Sequence, residues 1–279
     1  NFHGGGDKHT YYVSLGYFWE QGNQQESKDR FSINSRQDLQ LTSWLKWDVT
    51  LNAVFGNKKE KILPWHRSGD NFYSSYSWYR DFPYLTYEDE NGQPIDHSIY
   101  QVYSDKRKEV EALGKVDMSF YPVEDFKRSS QKTLNTNLRV NTGLTIDLIK
   151  GLKYEGRFQY SRVHSRMEAY LPSENWLIRE ERLCATPRNT LTSVVPTSGG
   201  HFTVTNQTAN DWTVRNQLSF DREFDAGRHQ LVALAGTEIR NYLSTSYTSF
   251  LRGYNLQTMQ SSPYDIYKLS QVVTNAIYG

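Results

Sequence analysis

The sequence predicts an all-β protein, an antiparallel sheet of the transmembrane-barrel kind, and three observations lead there. Apolar and polar residues alternate with period two through run after run. The runs are long, about 11 to 15 residues, against about 5–6 for strands of soluble sheets and about 9–11 for tilted strands that cross a bilayer. Tight turns and long connections alternate along the chain, as in outer-membrane barrels with short periplasmic turns and long external loops.

Each element follows from its side chains. HTYYVSLGYFWE (9–20) places Tyr11, Val13, Leu15, Tyr17 and Trp19 on one side, with Ser14 and Gly16 opposite. FSINSRQDLQL (31–41) sets Phe31, Ile33, Leu39 and Leu41 against Asn34, Arg36 and Asp38. LKWDVTLNAVFG (45–56) opposes Leu45, Trp47, Val49, Leu51, Ala53 and Phe55 to Lys46, Asp48, Thr50 and Asn52. LNTNLRVNTGLTIDL (134–148) opposes Leu138, Val140 and Leu144 to Asn137, Arg139 and Asn141. LKYEGRFQYSRVH (152–164), WTVRNQLSFDREF (212–224) and LVALAGTEIRNY (231–242) continue the pattern, and VVTNAIYG (272–279) reads as the start of an eighth strand. Successive side chains of a strand point to opposite faces, so each run has one greasy and one polar face. None carries helical periodicity. LTSW, LIKGL and FDAGRH are the tight turns, and a short loop lies at about 21–28. The long connections fall at about 59–131, 169–208 and 246–270, all expected outside the cell. Trp44 and Trp47 at one turn, and Tyr17, Phe18 and Trp19 at another, resemble interfacial aromatic girdles.

Composition removes several function classes. With 32 Lys and Arg against 31 Asp and Glu, no electrostatic footprint for nucleic acid exists. No apolar run reaches the roughly 18 residues of a membrane helix. The single cysteine, Cys184, excludes an internal disulfide framework and has no neighbouring base.

Catalytic and metal constellations are not evident, so the protein is read as a non-enzyme without a cofactor. Glu124 and Asp125 are read as a solvated pair rather than an acid/base couple. His97, His164 and His201 lack metal-ligand spacing. DENGQP (89–94) is read as a turn, since it lacks the later acidic ligand of a calcium loop. The segment 70–87 concentrates Phe72, Tyr73, Tyr76, Trp78, Tyr79, Tyr84 and Tyr87. Exposed aromatics stack on sugars and anchor interfaces, and they equally build small cores of their own.

GGGDKHTYYVSLGYFWEQG and FSINSRQDLQLTSWLKWDVTLNAVFG resemble the barrel entry and following hairpin of the SusC/RagA-type TonB-dependent transporters of Bacteroidetes outer membranes. YLTYEDENGQPI, LIKGLKYEGRFQYS, WTVRNQLSFDREF and HQLVALAGTEIR resemble later segments of that family in the same order. The resemblance implies a barrel of about 22 strands filled by a plug. It also implies a SusD-like surface lipoprotein as lid, and TonB pulling on the plug. This chain, 1–279, then reads as the N-terminal part of the barrel domain, about eight strands, without plug or TonB box.

The function expected is TonB-dependent uptake of a large nutrient, a glycan or peptide oligomer, across the outer membrane. Arg36, Asp48, Asn137, Arg139, Arg157 and Arg215 are expected to face the lumen, toward plug or substrate. The aromatic segment is expected at the rim, packing on itself or touching lid or substrate. Two rivals are a secreted, soluble all-β glycan-binding protein and a passive porin.

Overall fold

The computed structural model describes residues 1–23, 25–62, 86–98, 104–224, 228–272 and 276–277. Eight strands form one antiparallel sheet in simple sequence order: β1 (Phe2–Gly6), β2 (His9–Gln21), β3 (Ser27–Thr42), β4 (Leu45–Glu60), β5 (Ser130–Ile149), β6 (Leu152–Leu171), β7 (Gly200–Phe224) and β8 (His229–Tyr254). The sheet is open, with β1 and β8 at its edges. In such a meander the β3–β4, β5–β6 and β7–β8 connections share one end, and the β4–β5 and β6–β7 connections share the other. At the tight end Gly151 holds φ +87°, and a Cβ there would lie 2.5 Å from the Asp221 carbonyl oxygen, so this turn requires glycine.

Among the described residues four helices lie outside the sheet: α1 (Ser104–Gly114), α2 (Pro122–Arg128), α3 (Trp176–Cys184) and α4 (Ile266–Val272). The first three belong to the two long connections. α2 begins on Pro122, whose missing N–H costs nothing at a first helical position. α3 is capped by Asn175, whose side chain accepts from the Leu177 N–H at 3.1 Å.

The apolar core sits with these helices and not on the sheet. Val110, Met118, Phe120, Trp176, Leu177, Leu183 and Ile277 form one buried cluster beyond the long-connection end. Among the described residues, Ala53 is the one buried apolar side chain contributed by a strand. Among the described residues no second layer covers the apolar face of this eight-stranded sheet, and the cap beyond its end has a small core of its own.

Three expectations are corrected. Of VVTNAIYG, the structure describes residues 272, 276 and 277, and none of these lies in a named strand: Val272 closes α4, and Ala276 makes an isolated bridge to Pro187. The missing strand is instead β1, the glycine run Phe2–Gly6, paired to β2 from Phe2↔Val13 to Gly6↔His9. The strands also run further than their alternating cores. β7 begins at Gly200 and β8 continues to Tyr254, because backbone pairing persists where the strict alternation of apolar and polar residues lapses. The connections therefore span 61–129, 172–199 and residues from 255 onward, and the first two contain helices.

Candidate functional site

The register sorts the sheet into two faces. Directly paired residues share a face, so one lateral row reads Thr10, Asp38, Asp48, Gly143, Arg157, Arg215 and Glu238 across β2 to β8. The next row on that face reads Tyr12, Arg36, Thr50, Asn141, Gln159, Thr213 and Arg240, and the one above it contains Asn34, Asn52, Arg139, Ser161 and Asp211. Arg36, Asp48, Asn137, Arg139, Arg157 and Arg215 thus all lie on one polar face.

Several of them are engaged with neighbours on the wall. Arg157 donates to Asp48 at 3.1 and 3.2 Å, although the two residues are two strands apart. Gly143 lies between them, and a Cβ there would stand 2.6 Å from Asp48 Oδ1 and 2.8 Å from an Arg157 guanidinium nitrogen. Glycine at this point lets a carboxylate and a guanidinium meet over an intervening strand. Arg36 holds Asp38 at 3.0 Å, Arg215 donates to Gln217 at 2.9 Å, and Arg240 holds the buried Asp211 at 2.7 Å. Asn52 donates to Asn34 at 2.8 Å. The face is a ladder of ion pairs and amides, suited to contact with water or a polar occupant.

The opposite face carries a bounded apolar band. It spans Tyr11–Trp19 on β2, Leu45–Phe55 on β4, Leu152–Tyr160 on β6 and Trp212–Phe220 on β7, each close to the about 9–11 residues that a tilted strand needs to cross a bilayer. His9 and Gln21, Asn57, Arg162, and Asn210 and Arg222 mark its limits on those strands. The band is bare, with Leu15 54%, Trp19 60% and Phe55 47% exposed.

The band also runs diagonally. Tyr11 shares its row with Val214, and Trp19 shares its row with Asn206. Yet on β7 the band ends at Phe220 and Trp212, six residues further along at both limits. Six residues are about 20 Å of strand and five inter-strand steps about 24 Å, so the strands tilt about 40° from the normal to the band. Barrel strands tilt about 35–45°.

Beyond the polar end of the sheet lies the helical cap, whose charged contacts are mostly internal. Asp96 accepts from the Phe120 and Ser98 N–H groups, both at 2.9 Å, and from Arg107 at 2.6 Å. Those donors hold its carboxyl below the usual range despite burial. Arg179 of α3 donates to the Asp117 and Ser119 carbonyls at 2.6 and 2.7 Å, tying the two long connections together. Glu181 meets His201 at 2.7 Å and Arg252 at 2.6 Å, which hold it down to about 2 against burial. This cluster pins α3 to the upper ends of β7 and β8. Sequence reasoning missed it, because its members are widely separated in the chain.

Glu124 and Asp125 are not a solvated pair. Glu124 meets Lys127 and Arg128 at the surface, while Asp125, on the inner side of α2, is 2% exposed and accepts from the Trp176 N–H at 2.9 Å. Burial pushes its carboxyl up to about 6. Successive helical residues point about 100° apart, so one of the pair can be solvated and the other enclosed. The aromatic residues Phe72, Tyr73, Tyr76, Trp78, Tyr79 and Tyr84 lie outside the described residues. DENGQP does form a turn, with Asp89 accepting from the Asn91 and Gln93 N–H groups at 2.9 and 2.8 Å. Cys184 ends α3, half-buried.

No family model matches the chain, and no curated protein matches it. Solved structures do. The structure of the RagAB peptide transporter superposes with TM-score 0.63 at 18% identity, covering 94% of this chain and 26% of that one. The RagAB peptide importer in its closed-closed state gives TM-score 0.65 with the same identity and coverage. Its open-open state gives 0.61 at 18% identity, with 92% and 25% covered. At this identity the likeness is one of fold. The chain spans about a quarter of the length of those chains.

Proposed function

We propose that this chain is part of the wall of an outer-membrane β-barrel that imports a large nutrient, a peptide or glycan oligomer. The observation that carries the reading is the diagonal apolar band. A soluble sheet would bury that face against a second layer, whereas here it is bare, bounded to one bilayer thickness, and inclined as membrane barrels require. Burying it in lipid removes the cost of hydrating it, at roughly 25 cal/mol per Å² of apolar area. The polar ladder then lines the interior, and the β8 edge is free to accept a further strand. The cap lies at the outer rim.

The importing role is supported by the fold likeness to the RagAB peptide importer and by the sequence resemblance to SusC/RagA-type transporters. In this reading the full-length protein works with TonB and a SusD-like lid lipoprotein, and it binds and passes its substrate without making bonds. Arg139 and its row neighbours face the plug or the substrate, while Asp48 and Arg157 satisfy each other.

Fractionation combined with uptake tests this. The full-length protein should sediment with outer membranes, resist alkaline extraction and need detergent for release. Uptake of labelled oligopeptides or oligosaccharides should stop when TonB is deleted. Recovery in the aqueous supernatant would instead indicate a soluble glycan-binding module, and uptake that persists without TonB would indicate a passive porin.

A further inference from the structure

Just above the apolar band, on the same face, three strands carry a group of cations that no described residue holds in a salt bridge. Lys59 of β4 and Lys132 of β5 are direct register partners, and the next residue in their row is Glu168 of β6. That carboxylate is taken by Arg166, at 2.8 Å. Arg162 stands one same-face position above Tyr160, at the upper limit of the band on β6. Lys59, Lys132 and Arg162 are all exposed, and among the described residues none forms a salt bridge. Like charges placed directly opposite on paired strands repel, so Lys59 and Lys132 call for an anion from elsewhere. The same zone on β7 and β8 is neutral, with Asn210, Thr208 and Asn206 beside Leu243 and Thr245. On β3 its acid, Asp29, is bonded to Asn57 at 2.9 Å.

Position decides what the anion is. These side chains leave the sheet on the band's side, toward the bilayer and away from the polar face. Resting on the wall reading above, we propose that Lys59, Lys132 and Arg162 bind the phosphates of an outer-leaflet lipid, a glycolipid carrying more than one phosphate. Arginine and lysine at a membrane interface pair with anionic headgroups. Height selects the class of lipid. With the 40° tilt removed, Lys59 and Lys132 stand about 10 Å above Arg162. The headgroup layer of a phospholipid is only about 5–7 Å deep on each side. A headgroup with phosphates at one level meets Arg162 alone, whereas a phosphorylated sugar headgroup presents anions at both.

The test uses the full-length protein in nanodiscs of phosphatidylcholine doped with either a bisphosphorylated glucosamine-disaccharide glycolipid or phosphatidylglycerol, with retained lipid counted by native mass spectrometry. Wild type should retain the glycolipid about ten-fold over phosphatidylcholine and clearly over phosphatidylglycerol. The triple variant Lys59→Gln, Lys132→Gln, Arg162→Gln should fall to about two-fold or less. Equal retention by both proteins, equal retention of phosphatidylglycerol, or displacement of the glycolipid by inorganic pyrophosphate would each overturn the proposal. A second measurement needs no variant: a photoreactive glycolipid should crosslink to wild-type peptides containing Lys59, Lys132 or Arg162, and adducts confined to other strands would refute it. Protein that inserts but shows no headgroup preference sinks this inference alone. Protein that does not enter bilayers sinks the wall reading with it.

Discussion

Asp125→Asn probes the cap through one buried carboxyl. Asp125 sits on α2, in the first long connection, and accepts from the first N–H of α3, in the second. Its burial raises the carboxyl to about 6 from an ordinary 3.8, with the Trp176 N–H, Arg179 and Arg128 opposing and Glu124 assisting. That gap corresponds to about 3 kcal/mol, an upper bound on the cost of keeping the folded cap charged. The sign follows from proton counting. Between about pH 4 and 6 the folded cap holds a proton that the unfolded segment has lost. The cap is therefore most stable below that window and loses stability as pH rises through about 6. Asparagine keeps an oxygen for the Trp176 N–H and removes the charge. At pH 7 it should stabilise the α2–α3 contact by about 1–3 kcal/mol, the range reflecting the new amide N–H₂ that needs partners. Hydrogen exchange of residues 122–129 and 176–185 in the full-length protein, from pH 4.5 to 8, reads this directly. Wild type should gain protection on acidification and the variant should be flat. Parallel pH profiles, or a wild type that loses protection at pH 5, would refute the reasoning.

Val140 shares the band's row with Leu51 and Tyr160, and Asn141 shares the polar row with Thr50 and Gln159. Val140→Arg should reduce barrel assembly by the roughly 2–4 kcal/mol of a midplane arginine, and Asn141→Arg far less, read by heat-modifiable electrophoresis. Cysteines replacing Gly92, Ser198 or Thr258 in the full-length protein should react with an impermeant maleimide on intact cells, and those replacing Ser43 or Gly151 should not; the reverse pattern would invert the topology. Replacing Trp78 and Tyr79 together by Ala should weaken co-purification of the lid lipoprotein if these aromatics anchor it, at more than about 2 kcal/mol for a central anchor. A retained lid with lost uptake would assign them to substrate instead.

The sheet was legible where side chains alternate. LKWDVTLNAVFG announces β4 because one of its faces is apolar along its whole length. β1 was not legible, because FHGGG has almost no side chains to alternate and is held by backbone pairing to β2. The upper halves of β7 and β8 were lost for a related reason: in GHFTVTNQTAND both faces are largely polar, so the period vanishes while the ladder continues. VVTNAIYG is ambiguous because a short apolar run fits a strand or a helix end equally well, and its Val272 ends α4. Faces could be assigned from the phase of each run, which is why all six polar-wall residues fall on one side. Their partners could not, since Asp48 and Arg157 lie 109 positions apart in the chain. The one available signal was Gly143, a gap in the polar phase of β5. Asp125 meets a helix of the other long connection, and Glu181 meets the ends of β7 and β8, contacts that no local pattern encodes.

One face of this sheet should meet lipid and the other water. A nitroxide scan along β4 of the full-length protein in bilayers, from residue 45 to residue 59, tests it most directly. Collision with oxygen should peak at 49, 51 and 55, and collision with a water-soluble nickel chelate at 48, 50 and 52. The alternation should disappear beyond Asn57, as the strand leaves the membrane. Nickel access to both sets of positions within 45–55, or oxygen peaks at the even ones, would contradict the account.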